Sequence, residues 1–218
     1  MTQQAVFRHF AAFILLALPF VYAGWVWEQL PEIIPVHFGA SGAPDRFGDK
    51  SELWVILSIL GGAGAFSWLL INNIEKIDPK KAAQRSPEVM QKIALLVVVL
   101  TSVIGIYVVR ATLKGSVDNI LLVILGFFLA YLGNMMHSLK SNYFVGIRLP
   151  WTLESESNWR KTHQLGSKIW TAGGLIIMLA ALLLPTQLAV NVLLVMVVIM
   201  TVIPIVYSYR VHQSERTL

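Results

Sequence analysis

Histidine is the side chain most often recruited for acid–base and metal chemistry, and this chain carries five: His9, His37, His137, His163 and His212. They are scattered, and no two stand at the spacing by which imidazoles share a zinc ion. Cysteine is absent, which removes thiolate catalysis, disulfides and cysteine-based zinc sites together. Neither a glycine loop that would cradle phosphate nor a nucleophile elbow is present. What remains is sparse. Arg148 and His163 fall within one loop region, 146–163, and would make a membrane enzyme only if a deep polar cleft held both. Asn134 and His137 are the most polar neighbours in an otherwise apolar run. They fit a helix–helix hydrogen bond or, alternatively, a pathway for a proton or small ligand. Paired acids inside apolar runs, the mark of a coupled transporter, are missing. The chain is expected to be no enzyme and to use no metal and no cofactor.

The elements that must position these residues are set by composition. Of 218 residues 56% are apolar and only 13% charged, against roughly 25% charged in ordinary soluble domains. Lipid can solvate such a surface and water cannot. A stretch of about 20 apolar residues crosses the ~30 Å hydrocarbon layer as a helix. Six such runs are read: 10–27, 53–71, 93–109, 119–139, 169–185 and 188–209. None has a charge in its middle, and the alternation that a membrane barrel needs is absent. The first run follows Arg8 but lacks a convincing cleavage site, so it is read as a retained helix. The net charge of +5 does not indicate nucleic acid, because the basic residues sit in short segments between apolar runs. With the N-terminus inside, thirteen of the seventeen Lys and Arg residues are cytoplasmic; only Arg46, Lys50, Arg110 and Lys114 lie outside. That asymmetry predicts both termini in the cytoplasm. The expected fold is an all-α integral membrane protein with six transmembrane helices, N-in and C-in. It has a structured extracellular loop and a cytoplasmic amphipathic segment.

Three connections carry detail. The outer one, 28–52, holds Pro31, Pro35 and Pro44 among several glycines. The prolines push the chain toward extended structure, with Val36, His37 and Phe38 as a short strand or a headgroup-level segment. It reads equally as a rigid binding cap or as a connector. A second, 72–91, is cytoplasmic and charged. The third, 140–168, mixes aromatics with Arg148 beside the membrane. Trp159, His163 and Trp170 share roughly one helical face, which predicts a segment lying on the bilayer with Thr152 as its N-cap. The competing reading makes 146–152 a docking surface, since Arg and Trp dominate interface energetics. Gly61, Gly62 and Gly64 on the second run and Gly173 and Gly174 on the fifth predict close helix packing, and Pro19 and Pro204 predict kinks.

Two of these segments resemble a known family. The run Leu30-Pro31, Ile34-Pro35-Val36-His37-Phe38, Gly42, Asp45 and Lys50 is similar to the small domain of unknown function near the N-terminus of SdpI-type proteins. The stretch Gly133-Asn134, Asn142-Tyr143-Phe144-Val145-Gly146-Ile147-Arg148-Leu149-Pro150-Trp151-Thr152-Leu153, Trp159, Thr162-His163 and Gly166 resembles the signature of the SdpI immunity family itself. Leu149 departs from it, standing where the family pattern has Thr. The resemblance divides the chain into an N-terminal helix pair (1–72), a linker (73–92) and a four-helix region (93–218) with its motif loop at 140–168. It implies a multi-pass protein of the bacterial plasma membrane that protects its cell from a secreted, membrane-active peptide toxin. It further implies capture of a small repressor at the membrane. Partners would be membrane lipid, toxin outside and repressor inside, with no direct nucleic acid. Partner-binding residues would be Pro31, Pro35, His37, Phe38 and Asp45 outside; and Asn134, Phe144, Gly146, Ile147, Arg148, Pro150, Trp151, Thr152, Trp159 and His163 inside. A small transporter or lipid-handling protein using Asn134 and His137 is the alternative.

Overall fold

A computed structural model describes residues 3–39, 42–79 and 87–216. Lys80, Lys81 and Arg85, counted above as cytoplasmic, lie outside the described residues, as does most of the middle of the 72–91 connection. Each apolar run forms a helix. These are α1 (Gln3–Trp25), α2 (Glu52–Asn72), α4 (Pro87–Lys114), α5 (Ile120–Met136), α7 (Glu156–Leu183) and α8 (Thr186–Arg216), with two short helices, α3 (Ile74–Ile77) and α6 (Pro150–Glu154), between them. Five are long and apolar enough to cross a membrane. The sixth, α5, has 17 residues and reaches about 25 Å at 1.5 Å per residue, just short of the hydrocarbon thickness. The helices overrun the apolar runs where polar ends stabilise them. Glu88 stands in the first turn of α4 and Glu156 in that of α7, each facing the positive end of a helix dipole. Pro19 and Pro204 lie inside unbroken helices.

The helices pack as two sets of three: α1, α2 and α4 in one, α5, α7 and α8 in the other, meeting along α4 and α5. α4 packs mainly on the N-terminal pair and touches the second set through α5. The tightest contact joins α5 to α7. A Cβ added to Gly174 would stand 2.3 Å from the Ala130 nitrogen, and one on Gly133 would stand 2.5 Å from that of Thr171. Only bare backbones approach so closely, which is how helices gain contact where lipid removes the hydrophobic drive. Between α4 and α5 lies an apolar cavity of about 320 Å³, lined among others by Leu96, Val99, Val123, Phe127 and Met178.

At one end of the bundle the chain between α1 and α2 forms an antiparallel hairpin, β1 (Ile33–Phe38) with β2 (Pro44–Asp49). The fold is mostly helical, as expected of an all-α membrane protein, and this hairpin is its structured loop. Pro35 pairs opposite Phe47, with irregularities in the register beyond it; in a two-stranded ribbon every strand is an edge, so the missing N–H is tolerated. Ile34 is fully buried with Leu30, Leu53 and Val109, which seats the hairpin on the helix ends. Its tip lies across both helix sets: Val117 donates its N–H to the Gly42 carbonyl at 3.4 Å, and Gly42 also lies against Thr186. Trp27 stacks on Trp54 at 5.2 Å and carries Lys50 above its ring. At the opposite end a second cluster joins the two sets through Trp68, Ile74, Met90, Met136, Leu139 and Trp159.

Candidate functional site

The motif stretch lies at this second end and folds around side chains that a sequence leaves ambiguous. Residues 137–149 have no regular structure, so their backbone groups need other partners. Asn142, fully buried, supplies several. Its Oδ1 accepts from the N–H groups of Phe144 (2.9 Å) and Val145 (2.7 Å), and its Nδ2 donates to the carbonyls of Lys140 and Val145, both at 2.9 Å. All the bonding capacity of one amide is used to shape one loop.

Gly146 follows at φ +118°, a conformation that side chains strongly disfavour. A Cβ there would lie 2.5 Å from His163 Nε2. The turn aims the Ile147 N–H at that nitrogen, 3.0 Å away, while His163 Nδ1 donates to the Trp159 carbonyl at 2.9 Å. An imidazole that donates at one nitrogen and accepts at the other is neutral. Its ring stacks on Trp159, with centroids 4.0 Å apart, and the Trp159 indole N–H reaches the Leu139 carbonyl at 2.8 Å. Thr152 closes the far side: its hydroxyl accepts the Leu149 N–H at 2.9 Å and lies 2.9 Å from the Ile147 carbonyl.

Two further links reach α8. Trp151 donates to Ser208 Oγ at 3.0 Å, and Asn158 Nδ2 donates to the Ser208 carbonyl at 2.9 Å. Thr162 donates to Asn158 Oδ1 at 2.9 Å, and Ser155 to Glu215 at 2.9 Å. The whole is a clasp that ties loop 137–149, the first turns of α7 and the end of α8 together.

This corrects two expectations. Residues 156–183 form one continuous helix rather than a segment lying on the membrane; Trp159 and His163 are buried, and Trp170 donates to the Met200 carbonyl of α8 at 2.8 Å. The N-cap of α7 is Ser155, which accepts the Asn158 N–H at 3.1 Å, and Thr152 belongs to the preceding short helix.

The structure brings Gly146, Ile147, Trp151, Thr152, Trp159 and His163 together, with Phe144 half-buried against the same cluster. Arg148 and Pro150 lie on its surface, and the Arg148 guanidinium donates to the Tyr143 carbonyl at 2.7 Å. Arg148 and His163 share no cleft, because His163 is enclosed and Arg148 exposed. Asn134 is exposed on α5, outside the clasp. Pro31, Pro35, His37, Phe38 and Asp45 are at the hairpin end. There His37 Nδ1 meets Asp45 Oδ1 across the strands at 2.5 Å, both side chains exposed, while Pro35 is buried. Among the described residues no group of three potential metal ligands gathers. Asn158, Thr162 and Ser208 were missed as site residues. The signal for Ser208 was one of the few polar residues in the apolar final run.

Beside the clasp opens a polar groove of about 650 Å³ between the end of α5 and the start of α7. His137, Lys140, Arg160 and Gln164 line it, with Glu156 and Ser157 at the helix start and Leu139 and Trp159 as apolar lining. At the hairpin end Asp118 joins the α4–α5 turn. Burial pushes its carboxyl up, but the Ile120 N–H, Arg110 (3.1 Å) and Lys114 (3.4 Å) outweigh that and hold it below the usual carboxylate range.

Two family models match. The SdpI/YfhL protein family covers residues 138–208, from the loop of the clasp to Ser208 on α8. A domain of unknown function (DUF1648) covers 14–61, the hairpin with its flanking helices. An immunity protein, SdpI, from Bacillus subtilis is 23% identical over 208 residues, covering 95% of this chain and 97% of that protein. The chain belongs to the SdpI-type family. An uncharacterized protein from Archaeoglobus fulgidus is 30% identical over 140 residues, 54% of this chain and 76% of its own length. No solved structure matches. As an SdpI-type membrane immunity family member, the chain is a multi-pass protein of the bacterial plasma membrane. The family's matched region begins and ends at the two sides of the clasp.

Proposed function

We propose that this protein protects its cell from a secreted, membrane-active peptide toxin. The observation that carries the reading is similarity along 95% of the chain to a protein named for immunity. In this reading six helices span the membrane with both termini in the cytoplasm. The charge distribution supports that orientation. Among the described residues Arg8, Lys76, Lys92, Lys140, Arg148, Arg160, Lys161, Lys168, Arg210 and Arg216 belong to the clasp end, and only Arg46, Lys50, Arg110 and Lys114 to the hairpin end. Basic residues favour the cytoplasmic side.

The hairpin then faces the toxin. Exposed His37, Asp45 and Phe47 supply mixed polar and apolar contact above a Trp-rich belt. At the cytoplasmic end a repressor would meet Tyr143, Arg148 and Pro150, because Trp159 and His163 are enclosed. The direct experiment expresses the protein in toxin-sensitive cells and counts survivors. Protection at least tenfold above empty vector is expected; none across several toxins of this type overturns the reading. Recovery of a co-expressed repressor with the membrane fraction, lost in Arg148→Ala, tests the inner half separately.

A further inference from the structure

We infer that the groove between the end of α5 and the start of α7 binds the phosphate of an anionic phospholipid headgroup. Its depth is the first argument. The 17 residues of α5 end at Met136 after about 25 Å of rise, so His137 and Lys140 stand at the edge of the hydrocarbon. α7 has 28 residues, about 42 Å, and exceeds the ~30 Å hydrocarbon by about two turns. The Gly174 contact anchors its second half beside α5, so Arg160 and Gln164 stand at the headgroup level too. The opening, about 650 Å³, has room for a headgroup.

Its chemistry is the second argument. Lys140 and Arg160 come from opposite walls, both exposed and without an ion pair among the described residues. Ser157 and Gln164 add neutral donors. Among the described residues Glu156 is the one acid lining the groove, and the N-terminal N–H groups of α7 offset its charge. The groove keeps a positive surplus. Basic pockets between helices at a membrane boundary recognise acidic headgroups. The inference is independent of the toxin and of orientation.

Free phosphate shares this chemistry, so the test has arms for both sources. Purified full-length protein in a neutral detergent is titrated with phosphatidylglycerol, phosphatidylcholine, inorganic phosphate and glycerol 1-phosphate, with bound lipid counted by native mass spectrometry and phosphate binding read by calorimetry. Phosphatidylglycerol is expected to bind at least tenfold more tightly than phosphatidylcholine. Lys140→Gln with Arg160→Gln should erase that preference, a loss of about tenfold for two surface cations. Glu156→Gln should raise it. A control pair at the same end, Lys168→Gln with Arg210→Gln, should keep it. Equal affinity for both lipids, or equal loss in the control pair, overturns the site. If the soluble phosphates bind as tightly as phosphatidylglycerol, the ligand is free phosphate and the lipid assignment falls.

Discussion

Ile147 and His163 lie sixteen residues apart in the chain, yet the backbone N–H of the first meets Nε2 of the second at 3.0 Å. The bond depends on Gly146, whose positive φ turns the backbone and whose missing side chain leaves space for the ring. Gly146→Ala therefore strains the backbone and pushes the imidazole away at once. A loss of about 2–4 kcal/mol is expected, read as earlier loss of the monodisperse peak on heating in detergent. His163→Ala leaves the Ile147 N–H without its partner and opens a space under Trp159, and should cost a similar amount. The double variant should cost much less than the sum, since both changes break one contact. Full additivity would show that the two residues act separately.

Trp151 and Ser208 test the link from the motif to α8. Trp151→Phe keeps the ring against Tyr209 and His212 but removes the N–H bond to Ser208. It should cost about 1 kcal/mol, and Ser208→Ala should remove the same bond. In a double-mutant cycle on thermal stability the coupling should be of that size. A coupling near zero would falsify the bond as a contributor.

Asp118 makes the hairpin end sensitive to acid. Its carboxyl is held below the usual carboxylate range. A depressed folded-state value stabilises the protein above the unfolded pKa, and that contribution disappears as pH falls through the folded value. Asp118→Asn should thus be less stable than wild type at neutral pH, with the difference shrinking in acid below about pH 4. Melting curves from pH 7 to pH 3 read it directly; a difference that stays constant with pH contradicts the assignment.

Arg148 and Arg110 separate the two ends in function. Arg148 braces the Tyr143 carbonyl on the motif surface, whereas Arg110 pairs with Asp118 at the far end. Arg148→Ala should lower survival under toxin, or repressor retention, by at least tenfold, while Arg110→Ala changes either less than threefold. Equal tolerance of both would leave the inner motif with an architectural role alone.

Because cysteine is absent, single cysteines report orientation. Arg46→Cys on the hairpin and Glu154→Cys beside the clasp are both exposed positions. An impermeant maleimide should label the first in intact cells and the second only after permeabilisation. The reverse pattern inverts the membrane orientation.

The six helices were legible because apolar length is a strong and local signal; even α5, the shortest, lies within one residue of the predicted run at its N-terminal end and three at its C-terminal end. The interior of the motif was not. Trp159 and His163 at i and i+4 share a helical face whether that face meets headgroups or protein. The choice is made by Asn142 and Gly146, which fold the preceding loop back over them. No periodicity encodes that return. The hairpin was half legible: Val36, His37 and Phe38 suggested a strand, but Pro44 and Gly48 hid its partner, since proline and glycine are poor strand formers. Ser208 was overlooked because a small hydroxyl in an apolar run has no visible mate until α8 is laid beside Trp151.

The backbone contact of α5 with α7 at Gly133 and Gly174 has a mechanical outcome. With no side chains between them, a larger residue at either position would force the two helices apart. The aliphatic gap against α4 leaves the α4–α5 seam the looser one. The Gly42 strap at one end and the Trp159 cluster at the other carry contacts across that seam. The two helix sets are therefore fastened at their ends rather than along their length.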